Sequence, residues 1–204
     1  MCWQNKLEQK LTEIRNKHIP PRAAIIGIGH ELHGDDAAGV LLSRALKNRI
    51  TKDSRLLVIE AGQSPENFSG TLRRFRPHLV VMVDAAWMGS EPGIVQWLPW
   101  QEAGGTGILT HGLPIKDYSN YLATELDCEI SLIGIQPANT SYLAPLSETV
   151  KSAIETTTIE LANLLKAWLQ PTVLQVGGGK INSNQQSSGV NPNYSSKCYW
   201  RETV

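Results

Sequence analysis

Cysteine is scarce in these 204 residues: Cys2, Cys128 and Cys198 lie far apart, with no CxxC pair and an odd total. That usage excludes a disulfide scaffold or a zinc finger and suits a reducing cytoplasm, the expected compartment. Charge of one sign is also missing. Lys plus Arg number 19 and Asp plus Glu number 19, so there is no net field to hold nucleic acid or an anionic membrane. No apolar run approaches the roughly 20 residues of a membrane-spanning helix, and Met1 to His18 has no uninterrupted apolar stretch of a secretory signal. With 41% hydrophobic and 19% charged residues, the chain can still bury a sizeable core. An α/β enzyme or binding module is what these absences leave.

Trp3, Leu7, Leu11 and Ile14 recur at helical spacing, so residues 3–17 read as an amphipathic helix docked on the domain surface, ended by Pro20 and Pro21. Short apolar runs then alternate with helical patterns. Strands are expected over 23–28, 55–60, 78–84, 94–98 (a short edge strand) and 129–135. Helices are expected from Asp35 or Asp36, from Ser64-Pro65-Glu66, over 115–126, and from Pro145 to Pro171. This alternation implies a mostly parallel sheet between two helical layers. The division expected is an N-terminal helical extension (1–20), an α/β domain (21–170) and a tail (171–204), with 177–204 too polar to pack.

In an open α/β sheet, ligands bind beyond the carboxyl ends of the strands. Strand one delivers His30, Glu31, His33, Asp35 and Asp36 there; strand two delivers Glu60, Gln63 and Ser64. Strand three delivers Asp84, the last strand Gln136 and Asn139, and a Gly-rich loop His111. Gly27-x-Gly29 hints at a dinucleotide site. However, Leu32 stands where the third glycine belongs, and Asp35 and Asp36 would repel a pyrophosphate at that helix end. GxxxxGK[ST], a Gly-x-Ser-x-Gly elbow and Asp-Thr-Gly are all absent. Cys128 reads as a small buried residue.

A cation suits the site better. Asp36, Asp84 and His111 offer two hard oxygens and an imidazole, and would leave coordination positions open for substrate. Each also has a plain alternative: a helix cap, a turn and a loop histidine.

IIGIGHELHGDDAAGV, EAGQSPENFSGTLRRFRP, HLVVMVDAAWMGSEPGIV, THGLPI and LIGIQP, in this order over about residues 23–168, together resemble the hydrogenase maturation endopeptidases. The resemblance is to the branch serving formate-hydrogenlyase-type nickel–iron hydrogenases. It implies a three-layer α/β sandwich with a twisted, mostly parallel five-stranded sheet. It further implies a monomeric, cytoplasmic, aspartyl-type endopeptidase that trims the C-terminal peptide of a hydrogenase large-subunit precursor after nickel insertion.

The family's metal-associated residues fall on Asp36, Asp84 and His111. Asp36 and Asp84 are also the expected catalytic groups, and the nickel is borne by the substrate. The rival readings are a self-sufficient metallohydrolase keeping zinc or manganese on the same residues, and a maturation chaperone that cuts nothing. No nucleic-acid partner or membrane insertion is expected. The chain departs from the family's pattern at His30, usually Asn, and at Ala37, often Gly.

Overall fold

The structure, a computed structural model, describes residues 2–100 and 115–171. The described elements begin with α1 (Trp3–Lys17), β1 (Ala23–Ile28), a single 3-10 turn (Gly34–Ala37), α2 (Ala38–Lys47) and β2 (Leu56–Gly62). A second 3-10 turn (Pro65–Phe68), α3 (Ser69–Phe75), β3 (Leu79–Ala85) and β4 (Val95–Leu98) follow. After residues outside the described set come α4 (Ile115–Leu126), β5 (Glu129–Ile135) and α5 (Glu148–Leu169).

The strands are ordered β2-β1-β3-β5-β4. β1 pairs in parallel with β2 and β3, and β3 with β5; among the described residues only β4, at the edge, runs antiparallel, against β5. The fold is therefore the α/β class expected: a mostly parallel five-stranded sheet with helices.

Strand alternation divides the core in two. Ile25, Val81, Val83 and Ile133 pack with α1, α2 and α5 through Leu7, Leu42, Leu161 and Trp168. Ile26, Met82 and Leu132 pack on the other face with Leu72 of α3 and Tyr118 and Leu122 of α4. The stripe Trp3, Leu7, Leu11 and Ile14 is buried in the first of these cores. Polar contacts fasten α1 to α5. Trp168 Nε1–H donates to Leu11 O at 3.0 Å, Gln4 Nε2–H to Glu160 Oε2 at 2.8 Å, and Arg15 reaches the Trp168 carbonyl.

Element boundaries differ from the expectations in ways that matter for the site. The long helix starts at Glu148, not Pro145, because the Ser147 hydroxyl takes the N-cap and accepts from the Val150 N–H. Ser64 makes no such side-chain cap among the described residues, and the segment it opens is a 3-10 turn; α3 proper begins at Ser69. β2 continues past Glu60 to Gly62, and β3 past Asp84 to Ala85, which pairs with Ile135. Asp84 is thus the next-to-last residue of its strand rather than the last. Of the expected tail, only Pro171 falls among the described residues.

Candidate active site

Asp36 sits on the 3-10 turn between β1 and α2, a turn that packs against β3, the strand carrying Asp84. The approach is close. A Cβ at Gly39, in the first turn of α2, would come within 2.1 Å of the Val83 carbonyl and 2.4 Å of the Ile28 carbonyl, so only glycine lets α2 start directly above β1 and β3. Asp36 and Asp84 are both buried. Asp36 Oδ2 accepts the His30 N–H at 2.9 Å, which turns its carboxylate back across the loop leaving β1. Asp84 shares the strand phase of Val80 and Met82, the residues facing α3 and α4. Its partner in β5 is Gly134, which places no side chain beside it.

The neighbouring Asp35 has a different task. It is fully buried, and its carboxylate accepts from Ala138 N (2.8 Å), Asn139 N (3.0 Å), Ser147 N (2.7 Å) and Ser147 Oγ (2.9 Å). That is a structural clip. Asp36 and Asp35, indistinguishable by residue type, are thus sorted by their hydrogen bonds. Ser147, half of this clip, escaped the sequence reading; Ser147-Glu148 before an apolar periodic run was the signal available for it.

Gln136, Asn139, Glu60 and Glu31, also delivered to this end, make structural contacts. Gln136 is buried, its Oε1 accepting from Met88 N (2.7 Å) and Ser90 N (3.2 Å), so it holds the chain that follows Asp84. Asn139 Oδ1 accepts from Ser141 N within its own turn. Glu60 joins Arg44 and Lys47 at 2.9 Å each, and these two cations hold its carboxyl below the usual range, Lys47 the more strongly. Arg44 also grips Glu31 through two 2.8 Å bonds, which lowers that carboxyl too.

His30 Nδ1 accepts the Leu32 N–H at 3.1 Å, so a neutral His30 carries its proton on Nε2, as a donor. His30 therefore keeps a donor where the family's usual Asn would offer its amide. Burial pushes the Cys128 thiol up to about 12, which leaves no thiolate for nucleophilic attack at neutral pH.

His111 lies outside the described residues. Among the described residues no three His, Cys, Asp or Glu side chains gather as a metal site.

A family model described as hydrogenase maturation protease (HycI) matches residues 40–163. Hydrogenase 3 maturation protease of Escherichia coli K12 is 32% identical over 133 residues, covering 65% of this chain and 83% of that protein. The crystal structure of the nickel–iron hydrogenase maturation protease HycI from Thermococcus kodakarensis superposes with a TM-score of 0.70 at 33% identity, over 78% of this chain and 98% of that one. The solution structure of endopeptidase HycI from Escherichia coli gives 0.59 at 28% identity, over 70% and 90%.

Proposed function

This chain belongs to the hydrogenase maturation protease family, a family of hydrolases, and from that premise we propose that it reads nickel already seated in its substrate. The substrate is the large-subunit precursor of a nickel–iron hydrogenase, and the bond cut frees its C-terminal peptide. Asp36 and Asp84, with His111, take open coordination positions on the substrate's nickel and so bring the scissile carbonyl to the carboxyl end of the sheet. Water then attacks that carbonyl. The two carboxylates are the candidate acceptors for its proton, in the manner of an aspartyl-type endopeptidase, while a metal-lowered water pKa is the other route to a nucleophile. The reading places the enzyme in the cytoplasm as a monomer.

The observation that supports it most is the division of labour between Asp35 and Asp36. Of two adjacent buried carboxylates, one is consumed by four donors from the β5–α5 connection, and the other turns toward the loop at the strand ends.

The test mixes the protein with nickel-loaded and nickel-free precursor and weighs the products. Cleavage of the loaded form only is the expected result. Equal cleavage of both, with zinc or manganese retained by the isolated enzyme, would mean a self-sufficient metallohydrolase. Binding with no change of mass would mean a chaperone.

A further inference from the structure

The connection between β5 and α5 is built more firmly than its job as a linker requires. Asp35 pins both its stems, Ala138 and Asn139 at one side and Ser147 at the other. Three further bonds lock it to the loop that follows β1. Asp35 N–H donates to Asn139 O at 3.0 Å, Leu143 N–H donates to Leu32 O at 2.6 Å, and His33 Nδ1 meets Thr140 O at 3.3 Å. Gly34, at φ +54°, lies so close that a Cβ there would sit 2.6 Å from the Asn139 carbonyl. Yet this rigid base carries its apolar side chains outward. Tyr142 is 64% exposed, Leu143 66% and Leu32, across the join, 50%.

Leu143 also holds φ +57°, a left-handed conformation that disfavours leucine and in which glycine would be at ease. Residues 137–147 contain no charged side chain. A leucine kept in an unfavourable backbone conformation, with its side chain in water, contributes little to the fold and is suited to meeting something else.

We infer that this lip docks an uncharged, apolar stretch of the hydrogenase large-subunit precursor next to the bond that is cut, with Leu32, Tyr142 and Leu143 as its contact side chains. The inference rests on the function proposed above. Its occupant follows from continuity with the candidate active site: the loop after β1, which carries Leu32 and is locked to the β5–α5 connection, also holds Asp36, whose N–H donates to His33 O at 3.1 Å and whose Oδ2 accepts from His30 N. A chain seated on the lip is delivered to that carboxylate. Anchoring a non-reacting part of a substrate on a rigid surface is how a protease holds a scissile bond in place. His33 stands between lip and site, its ring 4.4 Å from that of His30 and 5.4 Å from that of Tyr142.

Nickel-free precursor separates this docking from metal recognition. Its dissociation constant is measured by calorimetry against wild-type enzyme, Leu143→Gly, Tyr142→Ser and the double variant. Leu143→Gly relieves the left-handed backbone, so its thermal midpoint should match or exceed the wild-type value, and any loss of binding is then not a loss of fold. The double variant should weaken binding about tenfold or more. A dissociation constant within about twofold of wild type, or wild-type enzyme with no measurable affinity for nickel-free precursor, overturns the lip. So does a homodimer of the enzyme that the double variant dissolves, for the lip would then serve a second copy. Whether loaded precursor is cut by wild-type enzyme is read separately and bears on the proposed function alone.

Discussion

At the carboxyl ends of β1 and β3, Asp35, Asp36 and Asp84 are buried, and Asp35 and Asp36 are held by backbone N–H groups. At the amino ends of the same strands, charge stays near the surface and the partners are reciprocal. His18 stacks on His78 with ring centroids 3.8 Å apart. His78 N–H donates to Arg22 O at 2.8 Å, while Arg22 N–H donates to His78 Nδ1 at 3.0 Å. Arg55 bridges Asp53 at 2.8 Å and reaches the Leu169 carbonyl at 2.6 Å. One end ties α1, β1, β3 and α5 together with groups water could also satisfy. The other concentrates buried carboxylates, which are costly to keep. The lesson is that the candidate chemistry is confined to the carboxyl end, where Asp35 also serves the fold, while the contacts at the amino end serve the fold alone.

If that division holds, changes at the carboxyl end should strike activity first. Asp36→Asn and Asp84→Asn should each lower the rate of precursor processing by at least about a thousandfold, while circular dichroism shows an unchanged fold. Wild-type rates in either variant would remove that residue from the site. Asp35→Ala should break the division, because this structural clip lies at the carboxyl end, next to Asp36. Its loss leaves several buried donors without their charged acceptor and should destabilise the protein by about 3–5 kcal/mol, measured by urea unfolding, with processing lost alongside. An Asp35→Ala protein of normal stability would mean that the clip is dispensable.

The amino end should respond to pH instead. Burial, then the nearby His18 and Arg22, holds His78 below its ordinary value of 6.5. A proton on Nδ1 would also displace the Arg22 N–H. The folded state therefore binds its proton less readily than the unfolded chain. The contribution is fully present above pH 6.5 and is lost as pH falls from there through the lower folded value. The thermal midpoint of wild type should fall across that window more than that of His78→Gln, with processing at pH 7.5 equal in the two. Equal pH slopes would show that the stack is idle. Arg44→Ala should be the mildest change. Its bonds to Glu31 and Glu60 are exposed, so stability should drop by less than about 1 kcal/mol, and a larger loss in chemical denaturation would reveal hidden support for the loop after β1.

Much of the architecture was legible in sequence because period-2 and period-3.6 burial leave their mark directly on residue order. The runs AAIIGI, HLVVMVD and EISLIGI read as buried strands, and Trp3, Leu7, Leu11 and Ile14 as a helix stripe, and the structure places a strand or helix at each. Their sequence order also implied which strand ends would deliver Asp36 and Asp84, since parallel strands joined by helices present their carboxyl ends together.

Tertiary structure alone decided the rest. Whether α1 lies on the surface or within the main core depends on what α5 presents to it, and Trp168 comes 157 residues after Leu11. Whether Asp35 or Asp36 is spent on the fold depends on donors at 138, 139 and 147, and Ser147 rather than Pro145 heads α5 through its cap to Val150. Leu143 looks like any loop leucine until its φ and its exposure are known. Periodicity is local and survives in the sequence; hydrogen bonds between loops distant in the chain exist only once the sheet has brought them together.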